Sequence, residues 1–349
     1  MTATLTRDDA RDIVTKIGLD FSHVEIIHDI TFKQNELVYE VIKKKTSIEE
    51  NLQGIITQIK SISGRAIVYC ATQKDCYEIA DLLRIKLEDI DGKVGVYHRG
   101  VPTGEKKCTV EKWKKQHIKV MVAINDFGLG INIPDVRLVV YYTMSQNLSN
   151  YIQETGKAGR NGSTAKYILL YARRDVRILY NIVAGKRESS LNDVVMENEE
   201  IRQVYLRECQ KKIWEMIFFC ETKFECRQSA LTHYQNWKEN NIPPSEPSCE
   251  RCDACQLRAK ETLITRDMKM SALRLLKVVE ALKEFESDAI TAKDVVDVFC
   301  KSKNTKLKYK ELEIYQEERD TVKLTIDEAN RLFNDLVIRG MVLTDIILR

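Results

Sequence analysis

Proline is scarce in this chain, 5 in 349 residues, and glycine is modest at 14. Those counts exclude collagen-like repeats and long low-complexity coil. With 44% hydrophobic and 31% charged residues, the composition is that of a folded globular protein. No run approaches the roughly 18 consecutive apolar residues that a bilayer-crossing helix needs. The opening stretch, MTATLTRDDARD, lacks the apolar centre of a secretory signal, so an intracellular chain is expected. Charge of one sign is also lacking, since the net value is only +3. Any case for a nucleic-acid partner must therefore rest on where Lys and Arg sit. No internal repeat is evident.

The length suggests two or three domains. From Arg65, short apolar runs (AIVYC, VGVYH, IKVMVAI, VRLVVYYT) alternate with helical patterns (CYEIADLLRIKLEDI, CTVEKWKKQ). Strands and helices alternating at this spacing predict βαβ units and a parallel sheet, so residues 31 to about 185 read as one α/β domain. Strand signals then stop. Between Asn198 and Glu239, apolar residues at helical spacing, such as Ile201, Val204, Ile213 and Ile217, predict two helices. After the Pro-rich loop NNIPPSEPS (240–248), a third pattern begins at Arg266. It comprises a helix through RDMKMSALRLLKVVEALKEF, a second through TAKDVVDVFC, a Lys-rich segment, a third through TIDEANRLFNDLVIRG and an apolar strand, MVLTDIIL. Three helices ending in a strand are the pattern of a winged helix.

Ten cysteines in a reducing compartment point to metal where they cluster. CERCDAC places Cys249, Cys252 and Cys255 at two-residue gaps, a spacing that lets thiolates converge on a tetrahedral Zn²⁺. Cys226 is favoured as the fourth ligand, with Cys220 and His233 as alternatives. Four thiolates would close the coordination sphere, which makes the zinc structural.

The stretch from Val122 to Gly162 contains AINDFGLGINIPDVRLVVYY and then YIQETGKAGRNG. These resemble motifs V and VI of the RecQ family of superfamily 2 DNA helicases, in the family's order. AIVYCATQKDCYEIADLL resembles motif IV, YHRGVPTGEKKCTVEKWKKQHIKVMVA resembles the segment that follows it, and the region from MIFFCETKFECRQ to CERCDAC resembles the family's helical zinc module. The resemblance covers nearly the whole chain. It implies a remnant of a first RecA-like lobe at residues 1–30, where MTATLT resembles motif III, and a second RecA-like lobe at 31–188. A helical zinc-binding module at 189–260 and a winged-helix DNA-binding domain at 261–349 would follow.

The same resemblance assigns roles. Arg160 is the arginine finger that reaches the γ-phosphate of ATP, where such residues contribute about 10³ to 10⁵ in rate. Gln153 and Lys157 accompany it at the catalytic face, and Gly128, Gly130, Asn132, Gly156 and Gly159 line the nucleotide. Three positions depart from the family pattern: Lys157 replaces its first motif VI Arg, Asn132 its usual Asp and Ile133 its usual Lys. Replacing Arg by Lys loses a planar, bidentate fork, so weakened ATP coupling is expected. The sequence also contains no GxxxxGK[ST] phosphate loop and no acidic strand end to hold Mg²⁺. ATP and Mg²⁺ are accordingly expected only together with a first motor lobe, and this chain alone is expected to have no ATPase activity. A truncated chain and a genuine short protein are both compatible with that reading. The acidic run Asp327–Glu328–Ala329–Asn330 is assigned to a helix cap opened by Thr325.

DNA, at a single-strand/duplex junction, is the implied partner, and nuclear localisation follows if the source is eukaryotic. Lys301, Lys303, Lys306, Lys308 and Lys310 offer a phosphate-binding surface. His98 and Arg99, with the lysines around Trp113, offer a second. Trp113 itself is assigned to the core, sharing an apolar face with Val110 and Ile118. Two rivals remain: a non-catalytic DNA-binding module or regulator derived from such a helicase, and a zinc-dependent protein scaffold.

Overall fold

The computed structural model describes residues 7–20, 22, 24, 36–88, 93–124, 127, 135–156, 158–159, 162–185, 199–235, 249–262, 266–286, 290–317 and 323–342. Two compact units divide the chain. One comprises Met1–Val195 with Thr222–Thr262, the other Met196–Glu221 with Leu263–Arg349. No helix among the described residues is long and apolar enough to cross a membrane.

The first unit begins with α1 (Arg7–Lys16) and is built on six strands: β1 (Leu37–Lys43), β2 (Arg65–Cys70), β3 (Lys93–Tyr97), β4 (Ile118–Ile124), β5 (Val136–Tyr141) and β6 (Ala165–Tyr171). Their order is β1-β6-β5-β2-β4-β3, and every pairing is parallel. Parallel sheets are covered on both faces, and β2 is accordingly buried along its whole length. The intervening helices are α2 (Ile48–Ser61), α3 (Gln73–Lys86), α4 (Thr103–Lys114), α5 (Leu148–Thr155) and α6 (Asp175–Gly185).

One face of the sheet carries Val68, Val120, Val122, Val140 and Ile168 against Leu52, Ile55 and Ile59 of α2 and Ile79 and Leu83 of α3. Helix starts are fixed by side-chain oxygens that satisfy first-turn N–H groups: Ser47 before α2, Thr72 before α3 and Asn147 before α5. A buried ion pair joins Lys44, just past β1, to Asp175 at the start of α6 (2.8 Å), with the ammonium 3.9 Å from the centre of the Tyr142 ring. Trp113 is core, as its apolar spacing predicted, with the Arg65 guanidinium above its ring.

Helix α7 (Glu199–Glu221) belongs to the second unit, and the chain then returns to the first with α8 (Arg227–Gln235) and α9 (Asp253–Lys260). Both pack against β1, the terminal strand of the sheet. A six-stranded parallel sheet with flanking helices, followed by this cysteine-bearing pair, is the expected RecA-like lobe with its zinc-binding module. The Pro-rich loop lies outside the described residues.

In the second unit, α10 (Lys269–Phe285), α11 (Ala292–Phe299), α12 (Glu313–Gln316) and α13 (Ile326–Ile338) follow α7. Leu275, Val278 and Leu282 of α10 meet Val295, Val296 and Phe299 of α11 and Phe333 and Leu336 of α13. Helix α7 packs on α13, where Asn334 Nδ2 donates to Glu221 Oε2 at 3.2 Å. Two reciprocal capping boxes open helices here, Thr291 with Asp294 and Thr325 with Glu328. The second absorbs the acidic run 327–330. The Lys-rich segment is not a plain loop: it contains a 3₁₀ turn, Leu307–Glu311, which buries Tyr309. Residues 343–349, which hold most of the expected terminal strand, lie outside the described residues.

Candidate metal centre and the motif VI helix

The sequence brings the cysteines together by two routes. Cys226 immediately precedes α8, while Cys249, Cys252 and Cys255 wrap the start of α9. Glu250, between the first two of these, takes a left-handed φ of 61°, which turns the chain back on itself. Cys252 is the N-cap of α9, its sulfur accepting from Cys255 N at 3.4 Å. Cys252 N donates to Cys249 Sγ (3.4 Å), Arg227 N to Cys252 Sγ (3.5 Å) and Arg258 Nη2 to Cys255 Sγ (3.2 Å). N–H groups aimed at sulfur, at a helix N-terminus, favour thiolate over thiol.

The four sulfurs lie within 4.8 Å of one another, and the Cys249–Cys255 separation is 3.8 Å. Zn–S bonds of about 2.3 Å in a tetrahedron place sulfurs about 3.8 Å apart, so the set fits a single zinc ion. The chemistry of the thiols agrees. Hydrogen bonding from Cys249 and Cys252 pulls the Cys226 thiol far below its ordinary range, while bonding to Cys226 holds Cys252 protonated. Four thiols this close cannot all ionise against one another, and a divalent cation removes that conflict. Of the alternatives for the fourth ligand, neither Cys220 nor His233 joins the group among the described residues. The His233 ring instead sets Nδ1 3.5 Å from Glu225 Oε1.

A bidentate ion pair, not anticipated from the spacing, staples the centre. Arg227 donates through Nε and Nη2 to the two carboxylate oxygens of Asp253, both at 3.0 Å. Arg227 follows Cys226 and Asp253 follows Cys252, so two ligand-bearing segments are locked by the residues adjacent to their ligands. The signal was legible: an opposite charge stands directly after a cysteine on each side of the cluster.

The second feature is the seat of α5, the helix that runs into motif VI. On the sheet face opposite α2 and α3, Tyr39 of β1, Tyr167 of β6, Tyr141 of β5 and Tyr69 of β2 form a row of buried rings, with Tyr151 of α5 against it. Ring centres are 5.4 Å apart for Tyr39–Tyr167, 5.3 Å for Tyr69–Tyr141 and 4.9 Å for Tyr141–Tyr151. Burial pushes the Tyr39 phenol up to about 12, while a hydrogen bond with Thr155 works against it and the nearby Cys249 charge reinforces it. Burial and the Glu154 carboxylate also raise Tyr69 and Tyr141 well above the ordinary phenol range. Tyr167 OH donates to the Thr155 carbonyl, and Ser149 Oγ at the other end of α5 is 3.0 Å from Tyr234 OH of α8. Tyrosines inside otherwise aliphatic strands were the available sign of this layer.

Of the residues assigned to the nucleotide side, Gln153 sits exposed on α5. Gly156 ends the helix with φ −63°, and a Cβ there would meet nothing nearer than 3.6 Å, so the fold itself does not require glycine at 156. Gly159 differs: φ is +72° and a Cβ would lie 2.9 Å from Leu37 Cδ2. Gly128, Gly130, Asn132, Lys157 and Arg160 lie outside the described residues.

The candidate DNA-facing residues divide in a similar way. Arg99 is exposed, but His98 is 3% exposed, accepts from Gly100 N at Nδ1 (3.1 Å) and stands edge-on to Tyr77. Burial and the charge of Lys106 lower its pKa, which favours the neutral ring. Among the five lysines, Lys306 pairs with Asp294 (3.0 Å), Lys308 pairs with Glu286, and Lys301 donates to the Glu317 carbonyl. Lys303 is exposed and Lys310 partly so, and neither forms an ion pair among the described residues.

Comparison with known proteins adds sequence relationships to this geometry. Residues 47–162 match the helicase conserved C-terminal domain, and residues 173–256 match the RecQ zinc-binding domain. The ATP-dependent DNA helicase Q1 of Pongo abelii is 31% identical over 263 residues, which is 73% of this chain and 35% of that protein. The ATP-dependent helicase SGS1 of Saccharomyces cerevisiae is 26% identical over 338 residues, 97% of this chain and 21% of the relative. The ATP-dependent DNA helicase Q-like 4B of Arabidopsis thaliana is 25% identical over 344 residues, 97% of this chain and 28% of the relative. The chain thus spans about a third or less of the length of these curated relatives. A helicase C-terminal domain followed directly by a RecQ zinc-binding domain, with its four cysteines gathered in space, places this chain in the RecQ family of superfamily 2 helicases, whose C-terminal portion it matches.

Proposed function

We propose that this chain is the second-lobe, zinc-module and DNA-gripping part of an ATP-dependent 3'-to-5' DNA helicase that acts in DNA unwinding, recombination and repair. The observation that carries the reading is the juxtaposition of the motif VI helix α5 with the cysteine module. Ser149 and Tyr234 join the two directly, as a motor lobe braced by its accessory domain requires. Zn²⁺ bound by Cys226, Cys249, Cys252 and Cys255 supplies folding energy and no chemistry.

With a first lobe holding ATP and Mg²⁺, Arg160 would neutralise charge developing on the γ-phosphate, and Gln153 and Lys157 would orient the nucleotide face beside Gly128, Gly130, Asn132, Gly156 and Gly159. The second unit, with three helices resembling a winged helix, would hold the duplex side of a single-strand/duplex junction through Lys301, Lys303, Lys306, Lys308 and Lys310. His98 and Arg99 would face the single strand. In a eukaryotic cell the place of action would be the nucleus.

The 349-residue chain alone should hydrolyse no ATP. Metal-dependent turnover stimulated by single-stranded DNA in the purified chain would overturn that. Joined to a first motor lobe, the chain should show DNA-stimulated ATPase that Arg160→Ala lowers by about 10³ or more. A second reading, a non-catalytic DNA-binding regulator, is favoured by Lys157 and Asn132, which replace residues of the family's nucleotide side. It predicts salt-sensitive DNA binding without ATPase even when a first lobe is supplied.

A further inference from the structure

Helix α5 is held at both ends by residues tied to the cysteine module. At its first turn, Ser149 Oγ meets Tyr234 OH of α8, and α8 begins at the residue after Cys226. At its last turn, the Thr155 carbonyl accepts from Tyr167 OH, and Tyr167 stacks on Tyr39 of β1, the strand against which α8 and α9 pack. The ring centres of Tyr39 and Tyr167 are 5.4 Å apart. Just past α5, Gly159 rests against Leu37, on the same strand. Strand β1 therefore contacts both the module and the residues that follow α5. The module's main packing is α8 on α5 and β1 and α9 on β1, whereas α2 and α3 cover the opposite face of the sheet.

We infer that Tyr234 and Tyr167 are positioning residues through which metal occupancy at the four cysteines sets how firmly α5 is seated on the sheet. When the metal leaves, α8 and the start of α9 lose the crosslink that fixes them. The Ser149–Tyr234 bond then loses its fixed partner, and β1 loses its backing beneath Tyr39. Helix α5 loosens while α2 and α3 do not. Each tie is a single hydroxyl contact that Tyr→Phe removes without removing the ring that packs the core, so the coupling can be separated from the packing. The inference rests on the zinc reading proposed above, but not on the motor reading.

The test is amide hydrogen exchange of the full 349-residue chain, read in peptides covering α5 and, as reference, α2 and α3, with metal content measured by atomic absorption. In the zinc-loaded wild type, adding a chelator should speed α5 exchange by about tenfold or more while leaving α2 and α3 nearly unchanged. The double variant Tyr167→Phe/Tyr234→Phe should still bind one zinc, exchange faster at α5 before chelation and gain little more from it. Ser149→Thr, which keeps a hydroxyl, should behave as wild type, whereas Ser149→Ala should not. The inference is overturned if chelation speeds α2, α3 and α5 alike, or if the double variant responds to chelator as wild type does. If no zinc is found, the metal reading fails, and faster α5 exchange in the double variant would still support the hydroxyl ties. Neither nucleotide nor DNA enters the measurement, so failure of the motor reading would leave its outcome unchanged.

Discussion

The cysteine centre and the lysine segment were both conspicuous in the sequence, and the fold treats them differently. All four cysteines converge within 4.8 Å. Of the five lysines, three are engaged by Asp294, Glu286 and the Glu317 carbonyl. The contrast follows from the physics of each group. A thiolate cluster satisfies itself only by meeting other thiolates around a cation, so short spacing nearly dictates its geometry. An ammonium is satisfied by any carboxylate or carbonyl within reach, and the fold supplies several. Spacing therefore predicts metal ligands well and charged binding surfaces poorly.

The strongest way to break the comparison is to remove a cysteine. Cys252→Ser should abolish metal binding and unfold α8 and α9, because structural zinc in small domains contributes about 10–16 kcal/mol of apparent binding energy. Metal analysis with hydrogen exchange of residues 226–260 checks it, and a variant that keeps one zinc would remove Cys252 from the ligand set. Next is the Arg227–Asp253 staple. Arg227→Met leaves a partly buried carboxylate without its partner and should cost about 2–3 kcal/mol in denaturant unfolding of the zinc-loaded chain, below the full buried-pair value because Asp253 retains some solvent. The double variant with Asp253→Asn should recover part of the loss.

Smaller effects sharpen the lysine side. Thr291→Ala removes the N-cap of α11 and should destabilise the second unit by about 1 kcal/mol, measured by its thermal transition. Acid should weaken the same unit. Burial would raise the Asp294 carboxyl, but hydrogen bonds from Thr291 and Lys306 hold it below its ordinary range, and bonds to Thr325 do the same for Glu328. Groups depressed in the folded state add stability that is present above the unfolded value, near about 4, and lost as pH falls through the folded value. The transition of the second unit should therefore fall between about pH 5 and pH 3, and Glu328→Gln should flatten that dependence. The smallest expected change separates the lysines from one another. If the segment meets DNA phosphates, Lys303→Ala should lower the salt slope of binding by about one unit. Lys308→Ala should lower it less, since Glu286 already offsets its charge. Equal effects from both would mean that the ion pair opens on binding.

Much of this architecture could be read from sequence, for identifiable reasons. Strands β2, β4 and β5 announced themselves as continuous aliphatic runs buried on both faces. The acidic run at 327–330 was separable from a metal-binding box because Thr325 stands three residues before Glu328, and the capping box is present. The tyrosine seat of α5 was not legible, because it is assembled from four strands whose neighbours in space are distant in sequence: Tyr39 meets Tyr167 across 128 positions. The partners of the lysines were hidden for the same reason, Glu286 lying 22 residues from Lys308 and Asp294 12 from Lys306. Gly156 and Gly159 looked alike in the motif, and only the backbone separates them, one helical and one left-handed.

Strand β1 pairs with β6 alone among the described residues, and α8 and α9 pack beside it. An unpaired strand margin is a template for intermolecular pairing unless something shields it. With zinc held as proposed, the four cysteines double as a safeguard of solubility: loss of the metal, or an oxidant that joins these thiols in pairs, would uncover a pairing surface at β1 while α2 and α3 stay packed on the sheet. Metal deprivation should then be visible as insoluble protein as well as in the exchange of α5.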